Sequence, residues 1–464
     1  MESEKGNGEM NEKIAAILDG YRDEMVEKLQ EIIRIESVAE MEGEVGKCDA
    51  PFGEGPKKAL EYMMELGKEK GFDVTNYDNV ACQLDFGERK DDAVGTVGHV
   101  DVVPAGGEWK YPPYGGELHD GVIYGRGAID DKGPTIATFY AALAIRESGL
   151  PLSRNIVQIV GSYEEGGYFP CLHRYLEKAE RIPSCGIVPD SFFPICFSEK
   201  HFVNTRFTMM TAGMDAGTQD EKTGLILKSI RGGDAINIVP SWAEAIFTDS
   251  QGNEVKRVKT TGVPAHASTP EQGKNAIAML LEELAQMDYE PRDICEGIKL
   301  LPPLVCRDVT GEGLGIREKD ETGESTNNMG LISYENGKLD IDFNARLPFS
   351  LETEDMVGRV KKSLAGTGFS VEMTLNIEGF RVDPQQEPAK TLIEVYREAT
   401  GDNESKPFAN GSGSYARVLK DFVPYGMALQ NEPLLFHVEN ESISVDRLMS
   451  VAKIYAEALY RLAR

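Results

Sequence analysis

The sequence predicts an α/β protein of two domains, on three observations. Short apolar runs of strand type recur between residues 71 and 191, and they alternate with helical periodicity. The chain has 464 residues, enough for two sizeable cores. From about Asn204 to Arg381 its character changes to repeated strand, helix and strand patterns with Gly-rich turns, and after Asp383-Pro384 the first character returns. The division read from this is a first domain of residues 1–203 and 383–464, interrupted by a second of residues 204–382.

Taken in order, residues 11 to 35 carry helical periodicity (Ile14, Ile17, Leu18, Tyr21, Met25, Leu29, Ile32, Ile33), and Pro56 to Lys70 carry it again. Gly71–Val74 and Ala81–Phe86 read as strands. The apolar run Ala93–Gly98 is a buried strand that delivers His99 and Asp101, alternate residues that point the same way. A Gly/Pro/Tyr-rich loop and a short strand, Val122–Tyr124, lead to Gly125-Arg126-Gly127 and the pair Asp130-Asp131. Lys132-Gly133-Pro134 then opens a helix with Ile136, Phe139, Tyr140 and Leu143 on its apolar face. Asn155–Gly161 is another buried strand and ends at Glu164-Glu165, while Cys185–Pro189 ends at Asp190. In the inserted part, two αβ segments (204–290 and 326–381) read as duplicated ferredoxin-like halves, with an amphipathic helix at Ala276–Met287. A final amphipathic helix runs from Leu448 to Tyr460.

Singly, a strand-end histidine or an Asp-Asp pair before a helix is an ordinary structural feature. Together they are not, because carboxylates crowded beside a neutral imidazole repel one another unless a cation sits among them. His with Asp/Glu is also the donor set of zinc and manganese sites.

Charge and cysteine content narrow the class. Lys and Arg total 49 against 77 Asp and Glu, a net charge of −28, which argues against nucleic acid or an anionic membrane as partner. Met1–Glu9 lacks the apolar core of a signal peptide, and no apolar run reaches membrane-spanning length. Seven cysteines without C-x-x-C spacing read as reduced thiols of a cytoplasmic protein.

The run His99-Val100-Asp101 with Tyr124–Pro134 (YGRGAIDDKGP) resembles the dinuclear metallopeptidases of the M20 clan, most of all the PepV-type dipeptidases. The remaining motifs follow in the family's order: Glu164-Glu165, Pro189-Asp190, Gly232–Pro240, Gly262–Ser268, Asn344-x-Arg346-x-Pro348, Asn410–Arg417 and His437-x-x-x-Glu441. The resemblance implies a mixed-sheet, zinc-peptidase-like α/β/α catalytic domain under an α+β lid, and two divalent ions, Zn²⁺ foremost with Mn²⁺ or Co²⁺ as alternatives. It implies that Asp130 bridges them, that His99 and Asp190 hold one, and that Glu165 and His437 hold the other. Glu164 would be the general base, Asp101 would hold the second nitrogen of His99, and the Asp130–Asp131 peptide would be cis.

From the second domain His266 would stabilise the oxyanion, Arg346 would grip the substrate's carboxylate and Asn237 would bind substrate. Gly413 and Ser414 would contribute a Gly/Ser cradle at the start of a helix. The substrate implied is a dipeptide with free termini, and the long insert implies a monomer. Two rivals stay open: an N-acyl amino acid deacylase or desuccinylase of the same clan, and a metal-stabilised binding protein without turnover. The glutamate pair departs from the family's Thr-Asp-Glu-Glu-Ser form, with Tyr163 before it and Gly166 after it.

Overall fold

Continuous apolar runs become the central strands of a mixed sheet, the pattern expected where both faces are covered by helices. The computed structural model describes residues 11–87, 90–211, 224–411, 413–430 and 436–464. Met1–Glu9, Ser412 of the Gly/Ser turn and the Leu435 preceding the last histidine motif therefore lie outside the described residues. The chain divides into two compact units: residues 1–197, 381–408 and 413–464 form one, residues 198–380 and 409–412 the other.

In the first unit the sheet order is Asp73–Tyr77, Ala81–Asp85, Asn155–Gly161, Ala93–His99, Cys185–Val188, Phe422–Pro424. The last four strands run parallel, and the first two join antiparallel. His99 pairs with Gly161 across the central pair, so neighbouring parallel strands end level at one edge. The residues just beyond those ends are Asp101, Glu164 with Glu165, and Asp190. Ligand sites of open α/β sheets form at such carboxyl edges.

The helix Lys132–Ser148 follows the fourth acidic contribution, Asp130. A one-sided apolar stripe was the expectation, yet Lys132 to Ile145 is buried on every face. The reason is coverage: Val445–Ala463, Arg22–Ile33 and Glu12–Gly20 all pack on it, and Leu29, Ile33, Phe139, Leu143, Tyr455 and Leu459 share one core. The periodic stretch 11–35 is two helices, Glu12–Gly20 and Arg22–Ile33, because Tyr21 leaves helical geometry (φ −93°, ψ 3°).

The second unit is built on one antiparallel sheet of seven strands, in the order Glu254–Thr261, Trp242–Thr248, Ile226–Gly232, Thr326–Glu335, Lys338–Leu347, His201–Met210, Ser370–Ile377. His201–Met210, from the earlier αβ segment, lies between two strands of the later one, so the two segments share a single sheet. Ala276–Leu284 and Thr353–Ser363 pack on it over Phe207, Ile230, Leu280 and Phe343. No helix among the described residues is long and apolar enough to cross a membrane. All seven cysteines are free.

Candidate functional site

The strand edge of the first unit gathers the five expected ligands. His99 ends the central strand and is 1% exposed. Its Nε2 lies 3.2 Å from Asp130 Oδ1 and 3.8 Å from Asp190 Oδ2. His437 Nε2 lies 3.0 Å from Asp130 Oδ2 and 3.0 Å from Glu165 Oε2. Two groups result, His99–Asp130–Asp190 and Asp130–Glu165–His437, and in each the donor atoms come within 4.8 Å of one another. Asp130 belongs to both.

Whether a divalent ion fits can be judged from the polar atoms. His99 Nε2 is buried without a hydrogen-bond partner, as is Glu164 Oε1. Burial and the neighbouring Asp130 push the Asp190 carboxyl up to about 7. Burial, then Asp130, raises Glu165, and burial drives Glu164 well above the ordinary carboxylate range. The imidazoles respond in kind. Burial works against the charged form of His437, but its bonds to Asp130 and Glu165 push it up to about 11. Burial would lift Asp130 too, yet His437 and His99 hold it below its usual value. Carboxylates straining toward protonation around two imidazole nitrogens are relieved by cations, and the N/O donor set suits Zn²⁺, Mn²⁺ or Co²⁺. The residues fit.

The local chain explains how the ligands are held. The Asp130–Asp131 peptide is cis. Asp131, fully buried, turns its Oδ2 back to accept from His99 N at 3.0 Å and from Thr135 Oγ1 at 3.2 Å. That approach depends on Gly98, where a Cβ would come within 2.6 Å of Asp131 Oδ2 and 2.3 Å of Thr135 Oγ1. Asp101 does hold His99, but differently from the expectation. The Nδ1 of His99 bonds the main-chain carbonyl of Asp101 at 3.0 Å, with Oδ1 further off at 3.4 Å. The Asp101 carboxylate is turned to the neighbouring strand end, where Oδ2 accepts from Glu164 N at 2.8 Å and Glu165 N at 3.1 Å. A parallel register that sets His99 beside Gly161 makes this reach possible.

Glu164 is 7% exposed. The departures flanking it are linked, since the Tyr163 ring lies over Gly166, where a Cβ would meet Tyr163 Cε1 at 2.1 Å. The ring also packs on Phe52, with centroids 4.6 Å apart. A depression of about 590 Å³, bordered by Pro104, Gly106, His437 and Asn440, opens beside the second ligand group. Ser414 caps only a three-residue 3₁₀ turn, Tyr415–Arg417, accepting from Ala416 N at 3.3 Å. The helix expected to open here, with its amide cradle at Gly413 and Ser414, does not form; the buried Tyr415 instead places its ring edge-on to His99 at 6.2 Å.

In the second unit Asn237 and His266 sit on loops that bond one another, and Arg346 lies on the strand Lys338–Leu347. Ala267 N donates to Asn237 O at 2.9 Å and Val239 N to Ala265 O at 2.8 Å, which couples the Asn237 and His266 loops. His266 Nδ1 accepts from Ser268 N at 3.2 Å and contacts Ser268 Oγ at 2.6 Å, so the neutral ring carries its proton on Nε2. Arg346 is 5% exposed, stacks on Phe202 at 3.4 Å, and donates to Asn344 Oδ1 and Gly411 O.

Sequence reasoning passed over Asn328. Buried, it donates through Nδ2 to Ile236 O at 3.2 Å and Ile238 O at 3.0 Å, gripping the Asn237 loop from both sides. No local pattern marks it. Asp131 was visible in its motif but lacked an assigned task.

Comparison with known proteins shows the class, a hydrolase of peptide bonds. A Staphylococcus epidermidis protein named "Putative dipeptidase" is 32% identical over 95% of this chain and 97% of its own length. "Putative dipeptidase YtjP" of Bacillus subtilis is 31% identical over 96% and 98%. Human carnosine dipeptidase 1 superposes with a TM-score of 0.58 at 17% identity, covering 97% of this chain and 98% of its own, a likeness of fold. The chain belongs to peptidase family M20/M25/M40, whose model matches residues 95–461.

Proposed function

We propose that the chain is a dinuclear, metal-dependent dipeptidase that cleaves dipeptides with free termini. The observation that carries this reading is the pair of ligand groups sharing Asp130, with the buried, unbonded Glu164 Oε1 one residue from the ligand Glu165. His99 and Asp190 would hold one ion, Glu165 and His437 the other, and Asp130 both; zinc is the metal proposed, with manganese and cobalt compatible. When bound, such a pair supplies Lewis-acid polarisation of the scissile carbonyl and a more acidic water.

The chain's own groups do the rest. Glu164 takes the proton from the attacking water and passes it to the leaving amine, a task suited to a carboxyl raised above its ordinary range. Asp101 fixes the main chain of Glu164 and Glu165, and so the direction of both side chains. From the second unit we assign the His266 Nε2–H to the developing oxyanion, the Arg346 fork to the substrate carboxylate and Asn237 to substrate binding. Gly413 and Ser414 remain assigned to substrate contact, now as part of a turn. The length of the second unit supports a monomer, and seven unpaired cysteines suit a reducing cytoplasm.

The test is hydrolysis of a dipeptide panel beside matching N-acetyl amino acids, with added Zn²⁺ or Mn²⁺ and with chelator. Metal-dependent cleavage of free dipeptides alone is expected. Cleavage of only the acetylated compounds would assign a deacylase, and no cleavage of either would leave a binding protein.

A further inference from the structure

Two residues of the sequence motifs have no task in this scheme: Arg126 of the Gly-Arg-Gly turn and Glu441 of the last motif. Both are buried, at 3% and 0% exposure. The short strand Ser442–Ser444 pairs antiparallel with Val122–Tyr124, Ser442 opposite Tyr124. Glu441 is thereby set beside the turn that begins at Gly125, and Gly125 N donates to its main-chain carbonyl at 3.0 Å.

The Glu441 side chain then enters the turn. A single oxygen, Oε1, accepts from Gly127 N at 3.0 Å, Ile129 N at 2.9 Å and Asp130 N at 3.1 Å. Its other oxygen takes Arg126 Nη1 at 2.7 Å. The same Nη1 donates to Val438 O at 3.2 Å, next to His437, and Nη2 reaches Pro104 O at 3.4 Å. One carboxylate therefore shapes the main chain up to Asp130, and its guanidinium partner ties down the residue after His437. His437 and Asp130 are neighbours within one ligand group.

We propose that Arg126 and Glu441 form a clamp that presets Asp130 and His437 for a divalent cation. They are positioning residues: neither belongs to a ligand group, and they act through the peptide units on which two ligands hang. A buried ion pair adds little stability by itself, but three amides converging on one oxygen define a backbone path that no local propensity would hold. Outer partners of this kind typically control metal affinity by about 10- to 100-fold. The inference rests on the metal-centre reading above and not on any choice of substrate.

The test is Zn²⁺ affinity of the folded full-length protein, measured by competition with a chelating dye, for Glu441→Gln, Arg126→Lys and Glu439→Gln. Glu441→Gln is expected to weaken Zn²⁺ binding about 10-fold or more, by loss of the charged acceptor. Arg126→Lys keeps the charge but loses the fork, and a loss of about 10-fold is expected at one site of the pair. Glu439→Gln removes an exposed negative charge nearer to His437 in sequence than Glu441 is, and wild-type affinity is expected.

Wild-type affinity in both clamp variants overturns the proposal, as does an equal loss in Glu439→Gln, which would make the effect one of general charge. Should Glu441→Gln not fold, Arg126→Lys decides in the same two directions. A protein that binds Zn²⁺ tightly but leaves dipeptides intact would sink the dipeptidase reading and leave the clamp standing.

Discussion

Asp101 offers the sharpest single perturbation, because its carboxylate does not do what its place beside a histidine suggests. In Asp101→Ala, two amides lose their acceptor: Glu164 N, which is buried, and Glu165 N, which is partly so. Leaving a buried donor unpaired costs about 1–3 kcal/mol, and the partly exposed one costs toward the low end. Removing one negative charge from a group of carboxylates gives some of this back, so a net loss of about 1–3 kcal/mol is expected. Asp101→Asn keeps an oxygen that can accept from both amides and should cost about 1 kcal/mol.

His99 retains its bond to the main-chain carbonyl of residue 101 in both variants. The loss in turnover should therefore follow the two glutamates and not the histidine, and should be about 10- to 100-fold in the alanine variant and smaller in the asparagine one. Urea unfolding in excess chelator gives the stability difference, and kcat at saturating metal gives the rest. An alanine variant within about 0.5 kcal/mol of wild type and within twofold in kcat would refute the reasoning.

Three further outcomes are expected. Glu164→Gln, nearly isosteric, should lower kcat by about 10²- to 10⁴-fold while metal content by elemental analysis stays at the wild-type level; surviving activity would remove Glu164 as the base. Chelation should abolish peptide hydrolysis and lower the melting temperature, and restoring metal at about 100 times its Kd should return about 2.7 kcal/mol per site, read by thermal unfolding. Gly166→Ser sets a Cβ against the Tyr163 ring and should cost about 1–3 kcal/mol, most of which disappears in a Tyr163→Ala background; a double-mutant cycle without coupling would show the two positions to be independent.

The site was legible in the sequence wherever chemistry coincides with a strand end. His99, Glu164, Glu165 and Asp190 each follow an apolar run, and parallel pairing must bring such ends to one edge. What stayed illegible depends on partners far along the chain. The Asp101 carboxylate could be credited to His99 two residues away, but its amide partners lie 63 and 64 residues on. The Asn328 grip on the Asn237 loop spans 92 and 90 residues. The Gly/Ser turn misled for a reason its own residues do not carry: Tyr415 packs in the core edge-on to His99, far earlier in the chain, and only a three-residue 3₁₀ turn forms. The helix Lys132–Ser148 misled for a similar one, since its far face is covered only by elements from both ends of the chain.

The threading of the chain has a consequence for its birth on the ribosome. The first unit is assembled from three pieces, and its sheet is closed by Phe422–Pro424 against Cys185–Val188, while its central helix is roofed by Val445–Ala463. The second unit is nearly continuous, and its seven strands have all been synthesised once Ile377 has been added. Order of synthesis thus favours completion of the later unit first, with the earlier strands unsealed until residues 422–463 have been translated. A chain cut short before Val445 would lose the roof of the very helix that follows Asp130, so premature stops ahead of that residue should yield material for proteases and chaperones in place of a partial enzyme.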